Sequence, residues 1–236
     1  MGYLIFRSVS TQSLNGVYVS KMPNHKKAAM RNTEYYVKGR DGALHVDEGL
    51  SNFDITATLV LVNGSAGARQ QVNAWADGTG KLITSDNLGF AYRASVKEEI
   101  VWQRVPGNIV NGQLTFYDTA QITWTCEPYM YEAIDTVITL TEGAFVVNPG
   151  SAPALPFIQV NGSGDVSFMV NGEEITIEGM TAGTPVNIDC ENGYVYTAQG
   201  ATSMTGDFPE FTYGENTVSL ETGVTSLVIT PHWRWI

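Results

Sequence analysis

The chain has 236 residues, of which 43% are hydrophobic and 16% charged, with 24 Gly, 5 Trp, 11 Tyr and 9 Phe. This is the composition of a folded, turn-rich protein of one or two domains, and it excludes a disordered or collagenous chain. A formal charge of −11 repels the phosphate backbone that Lys and Arg would have to neutralise, so nucleic-acid binding is not expected.

No stretch approaches the roughly 18 consecutive apolar residues of a membrane span, and Met1 to Arg7 lacks the basic and apolar regions of a secretory leader. A soluble protein made in a cytoplasm is expected. Cys126 and Cys190 lie far apart and outside any CxxC or CxxH spacing, which argues against a disulfide framework, a zinc site or redox chemistry.

The first part of the chain reads as mainly β. Asp54 to Val62 alternates Ile55, Ala57, Leu59 and Leu61 against Thr56, Thr58 and Val60, the period of a half-buried strand. Ala66 to Ala76 differs: Ala68, Val72 and Trp75 recur at helical spacing, and Gly78 and Gly80 stop the run, predicting one short helix. Phe90 to Val96 and Gln113 to Tyr117 are further strands. No repeat of solenoid or propeller length is present.

Charge divides the chain unevenly. Twelve of the 13 Lys and Arg residues and fourteen of the 24 acids precede residue 144, leaving Arg234 against ten acids in the remainder. The first part is therefore at −2 and the second at −9, a step that marks separate units. Glu142 to Pro156 holds three prolines, each restricting its predecessor to extended geometry, and reads as a stiff connection. Domains at 1–143 and 144–236 are expected.

Hairpin signals dominate the second part. Asn171-Gly172 is the favoured type I′ dipeptide and predicts Val170 opposite Glu173, Ser167 opposite Thr176, Phe168 opposite Ile175 and Val166 opposite Ile177. In the same way Asn192-Gly193 predicts Cys190 beside Val195, on a buried face with Val186 and Ile188, and Thr222-Gly223 predicts a third hairpin. Beyond it Leu227, Ile229, Pro231, Trp233 and Trp235 share one parity and His232 and Arg234 the other. Strand count and turn spacing describe an antiparallel β-sandwich.

The possible chemical motifs all have simpler readings. Gly78-Thr79-Gly80-Lys81 resembles part of a phosphate loop, but the required earlier glycine is Trp75, and Lys81 reads as a solvated strand start. Glu98-Glu99 and Glu173-Glu174 are adjacent strand residues expected on opposite faces, so neither pair flanks one bond. His25, His45 and His232 are isolated, and no Gly-x-Ser-x-Gly elbow is present. Asn63-Gly64-Ser65 and Asn161-Gly162-Ser163 match the glycosylation acceptor pattern but read as turns. Tyr194, Tyr196, Phe211, Tyr213, Trp233 and Trp235 form a sugar-stacking platform only if exposed, and read otherwise as core or interface. No catalytic, cofactor-binding or metal-binding residue is assigned, and an enzyme is not expected.

Gly206-Asp207-Phe208-Pro209, Gly214-Glu215-Asn216-Thr217-Val218 and Val228 to Ile236 resemble the closing signature of siphophage distal tail proteins. Asn148-Pro149-Gly150, Pro156 and Asn161 to Asp165 are similar to the entry into that family's second domain. Gly39-Arg40-Asp41-Gly42 between two strands, and Gly80-Lys81-Leu82 with Ser85-Asp86, extend the resemblance over nearly the whole chain. Ser20 to Glu34, with Lys21, Lys26, Lys27 and Arg31, is the least family-like stretch.

The resemblance implies a virion structural protein at the tail tip of a phage with a long non-contractile tail, infecting a Gram-positive host and assembled in the host cytoplasm. It implies a β-sandwich or barrel-like first domain closing into a homo-hexameric ring, single or stacked in two, that joins the tail tube protein to tail-tip and receptor-binding proteins. The second domain would be a galectin-like or carbohydrate-module-like sandwich. Two expectations follow: the acidic second units repel one another and stay splayed, and the ring lumen is neutral or acidic so that DNA slides past, with Lys26, Lys27 and Arg31 away from it. The competing reading is a module that binds host-wall polysaccharide through its second domain.

Overall fold

A computed structural model describes residues 2–62 and 66–236, so the Asn63-Gly64-Ser65 turn lies outside the described residues. The chain divides into two compact units, one running to Ala133 and the other spanning Ile134–Trp235. The proline-bearing segment taken from the sequence as the connection lies inside the second unit.

In the first unit β1 (Leu4–Phe6), β2 (Val9–Ser10) and β3 (Val17–Lys21) lead to β4 (Met30–Tyr35) and β5 (Leu44–Leu50). β6 (Phe53–Val62), helix α1 (Ala66–Trp75), β7 (Thr79–Thr84), β8 (Phe90–Val96), β9 (Gln103–Val110) and β10 (Gln113–Glu132) follow. One curled antiparallel sheet has the order β2-β1-β7-β8-β10-β6-β3, with β9 against the first half of β10. The alternation read in Asp54 to Val62 is observed: Ile55, Ala57, Leu59 and Leu61 are all buried. Gln113 to Tyr117 is only the start of β10, which continues for 20 residues. Its ladder to β8 shifts register between Cys126 and Met130, where Pro128 has no N–H to donate, and that irregularity hides the strand from a period-2 reading.

Helix α1 packs Val72 and Trp75 onto the sheet, as its spacing predicts. Phe6, Trp75 and Trp124 meet edge to face at centroid separations of 6.2, 6.0 and 6.1 Å, a geometry that adds to the area they bury. Gly80 is required by close approach, since a Cβ there would overlap the Arg7 side chain. Lys81 is not solvated as expected; its Nζ donates to the carbonyls of Glu132 and Ala133 at 3.1 and 3.4 Å. Among the described residues β4 and β5 pair only with each other, as a two-stranded arm.

The second unit begins with β11 (Ile138–Leu140), β12 (Ala144–Asn148), β13 (Phe157–Gly162), β14 (Gly164–Val170) and β15 (Glu173–Met180). It continues with β16 (Val186–Asp189), β17 (Tyr194–Thr197), β18 (Gly200–Ala201), β19 (Gly214–Leu220), β20 (Val224–Thr230) and β21 (Arg234–Trp235). Sheets of order β11-β20-β13-β16-β17-β18 and β12-β19-β14-β15 enclose a core that includes Ile158, Phe168, Ile175, Ile188, Phe211 and Ile229. The fold is mainly β throughout, with α1 as the helix of the first unit.

The Asn171-Gly172 hairpin has the predicted register, residue for residue, with φ of 53° and 88° at the two turn positions. The other two turns differ. Ile188, not Cys190, lies opposite Val195, because the Asp189 carboxylate accepts the Asn192 N–H at 3.0 Å and its Nδ2 at 2.9 Å, lengthening the loop to four residues. The slip is by two residues, so every side chain keeps its face and Cys190 remains buried. Thr222-Gly223 is a corner between sheets rather than a hairpin, since β19 and β20 belong to different ones. Gly223 has φ of 69°, and a Cβ there would sit 2.6 Å from the Asp165 carbonyl oxygen.

Candidate assembly surfaces

The side chains that could carry chemistry are dispersed or spent on structure. Cys126 and Cys190 are buried free thiols, and burial pushes both up to about 12. Among the described residues no group of three His, Cys, Asp or Glu side chains is placed to hold a metal.

His25 is not isolated as the sequence suggests. Its Nε2 lies 2.9 Å from Asp86 Oδ2 and its Nδ1 3.3 Å from the Tyr92 hydroxyl. A hydrogen bond from Thr84, then the one from His25, holds the Asp86 carboxyl below its usual range, and burial raises the Tyr92 phenol. This cluster ties the segment between β3 and β4 to the turn after β7. His45 faces Glu34 at 3.6 Å on the arm, and the buried Nδ1 of His232, at φ 54°, has no hydrogen-bond partner among the described residues.

Glu173 and Glu174 stand opposite Val170 and Met169 on the two faces of their hairpin, as expected. Glu98 and Glu99 do not, because the chain has left β8 before reaching them and alternation no longer applies. Both line one depression of about 620 Å³ with Val101, Trp102, Thr58 and Gln121. Trp102 is oriented by its Nε1, which donates to Asn73 Oδ1 at 2.9 Å. Lys97, next in sequence, is held by Asp54 at 2.5 Å, an ion pair that lowers the Asp54 carboxyl and raises the Lys97 ammonium.

Apolar side chains are exposed on the arm and on the β9–β10 ribbon. In the arm Tyr35 pairs with Leu44 and Thr33 with Val46, so these four share one face; Tyr35 is 55% and Val46 48% exposed. On the ribbon Ile109, Leu114 and Phe116 are exposed. Of the basic residues, Lys26 donates to the Asp54 carbonyl at 2.7 Å and Arg31 to the Glu48 carbonyl at 2.6 Å, while Lys27 is exposed. In the second unit Phe211 and Trp233 are core, which leaves Tyr194, Tyr196 and Tyr213 exposed from the possible sugar platform.

No family model matches the sequence, and no curated protein sequence matches it. Solved structures do. The crystal structure of the Dit protein of phage SPP1, described as a paradigm of the hub adsorption apparatus in phages infecting Gram-positive bacteria, aligns over 98% of this chain and 98% of its own, with a TM-score of 0.73 at 12% identity. This chain has the Dit fold. A chain of the phage p2 baseplate in its activated conformation with Sr aligns over 97% of this chain and 98% of its own, at a TM-score of 0.47 and 9% identity. The same baseplate with Ca gives 97% and 97%, a TM-score of 0.44 and 11% identity.

Within the Dit fold, the residues that carried the sequence resemblance hold backbone together. Asn216 is fully buried; its Nδ2 donates to the carbonyls of Thr212, Gly214 and Val146 at 2.9, 3.0 and 3.3 Å. Its Oδ1 accepts from the Thr212 N–H at 2.9 Å and from Asn171 Nδ2 at 2.9 Å. Asn148, also buried, donates to the carbonyls of Ala152 and Phe211, each at 3.1 Å, and accepts the Gly150 N–H at 2.8 Å. Gly206 has φ of 106°, and a Cβ there would overlap the Glu174 carbonyl, blocking the bridge from Thr205 to Thr176 at the edge of β15. These signatures mark packing requirements, not reacting groups.

Proposed function

We propose that this protein is a non-enzymatic structural component of a phage tail tip or baseplate, in which its first unit forms a ring of six copies that joins the tail tube to the host-adsorption proteins. The observation that carries the reading is the alignment with the SPP1 Dit protein along the whole length of both chains. The exposed apolar face of the arm and that of the β9–β10 ribbon support it, because patches of this kind mark contact surfaces. A ring of identical subunits needs two different complementary faces on each copy, and the near-balanced charge of the first unit suits such contacts. The strongly acidic second unit then faces tip partners, and DNA passes through the lumen unbound. In virions the protein belongs to the tail.

The test is the solution mass of the purified 25.7 kDa chain by light scattering, with a sixfold or twelvefold multiple expected for one or two stacked rings. A mass that remains that of one chain at every concentration counts against ring closure by this protein.

One observation favours a second reading. Tyr194 and Tyr196 stand on the same outer face of β17 beside Asp189 and Asn187, a pairing of aromatic and polar groups suited to stacking and hydrogen-bonding a sugar. Calorimetric titration of the full chain with wall polysaccharide, with and without Tyr194→Ala, separates this reading from a purely structural second unit.

A further inference from the structure

The β4–β5 arm lacks the partner its own sequence calls for. An isolated two-stranded ribbon is at best marginally stable in water, and three strands or a covering surface are normally needed. This ribbon spans about 20 Å at roughly 3.3 Å per residue. One face carries Thr33, Tyr35, Leu44 and Val46, and the opposite face carries Glu34 and His45. The alternation is that of a strand pair with one buried side, yet Tyr35, Leu44 and Val46 are exposed.

The arm's tip is basic and apolar. Tyr36 is 79% exposed and Val37 49%, and Lys38 and Arg40 stand beside Asp41, with neither cation in an ion pair among the described residues. The Glu98–Trp102 depression has the complementary character. It is lined by Val101, 67% exposed, and the oriented Trp102 indole, and by Glu98 and Glu99, neither of which makes a hydrogen bond or ion pair among the described residues. The arm of the same chain leaves this depression open.

We propose that the arm of one copy docks into the Glu98/Glu99/Trp102 depression of the next copy, with Tyr36 and Val37 against Val101 and Trp102 and Lys38 and Arg40 against the two carboxylates. Two complementary surfaces that sit on one chain without meeting form a head-to-tail contact, and repetition of that contact closes a ring when the rotation allows. The docking covers the apolar tip of the arm and pairs Lys38 and Arg40 with Glu98 and Glu99, none of which is in an ion pair among the described residues. This inference rests on the ring reading and names the residues of its subunit contact.

The test uses two charge-reversed full-length proteins, Lys38→Glu/Arg40→Glu and Glu98→Lys/Glu99→Lys. All four positions are exposed, so circular dichroism should show both variants folded. Each variant alone should associate about tenfold or more weakly than wild type by light scattering, because like charges then face each other at every contact. Mixing the two in equal amounts should restore assembly, since an alternating ring matches a reversed tip with a reversed rim and a native tip with a native rim. In a separate protein Tyr36→Cys/Val101→Cys should give oxidised ladders of linked chains, the native thiols being buried.

Wild-type assembly that both charge variants reproduce, with no Tyr36→Cys/Val101→Cys ladder, overturns the docking and leaves the ring reading standing, with the arm free for a tube or tip protein. A wild-type chain that stays single at all concentrations and gives no ladder overturns both.

Discussion

Replacing Asn216 tests whether the family-like residues of the second unit are structural. In Asn216→Ala the Thr212 N–H loses its acceptor, and the carbonyls of Thr212, Gly214 and Val146 lose a shared donor. A buried polar group left unsatisfied costs about 1–3 kcal/mol. The N–H is a complete loss and the carbonyls partial ones, so about 3 kcal/mol is expected in total. For a unit of this size each kcal/mol lowers the midpoint by about 4–8 °C, so the transition should fall by about 12–24 °C in scanning calorimetry.

Asn216→Asp sharpens the test. The carboxylate keeps the acceptor role but sets a charge against three carbonyl oxygens, away from water, which raises its pKa in the folded state above the unfolded value of about 3.9. The folded state then binds the proton more tightly than the unfolded one, so the variant's deficit relative to wild type is smallest below about pH 4 and grows as pH rises from there through its folded pKa. A loss below about 1 kcal/mol in Asn216→Ala, or a pH-independent difference between Asn216→Asp and wild type, would refute the account.

Gly223→Ala should destabilise by about 2 kcal/mol or more, because a side chain is strained at φ 69° and would meet the Asp165 carbonyl; a denaturant midpoint equal to wild type would contradict the corner geometry. Neither Cys126 nor Cys190 should react with an aromatic disulfide reagent at pH 8 until denaturant is added, as both thiols are buried and titrate near 12. The depressed Asp86 carboxyl contributes stability above its unfolded value near 3.8, lost as pH falls through the folded pKa. Amide protection around His25 and Asp86, taken as the observed exchange rate relative to the intrinsic rate at the same pH, should therefore fall in acid, and Asp86→Asn should remove that dependence. Asp118, buried with Arg69 at 3.3 Å, anchors α1 to β10; Asp118→Asn should cost about 1–2 kcal/mol in chemical denaturation, discounted because the Arg69 side chain is 38% exposed.

What could be read from the sequence was what local chemistry dictates. Asn171-Gly172 sets its register because both residues accept positive φ and the turn needs nothing else. At Asn192-Gly193 a side chain outside the dipeptide, Asp189, reorganises the loop, and no dipeptide rule contains it. Thr222-Gly223 looks like a hairpin because the flanking runs alternate correctly; that they enter different sheets depends on their partners β13 and β14, distant in sequence. The Ala68, Val72 and Trp75 spacing found the helix, since three large steps of one face suffice. The Glu98–Trp102 depression was missed because it is assembled by β6, β10 and the segment after β8, and only the tertiary fold brings Thr58, Gln121 and Trp102 together.

Strand β10 has a mechanical consequence. Its 20 residues are bonded to β6 on one side and to β9 and then β8 on the other. A pull along its length loads these cross-strand bonds in parallel, so they must shear together, and the first unit is stiff in that direction. Among the described residues the arm's strands pair with each other alone, and tension across its open end parts one residue pair at a time. Strength and compliance are therefore separated within one unit: load travels along β10, while the arm yields and re-forms.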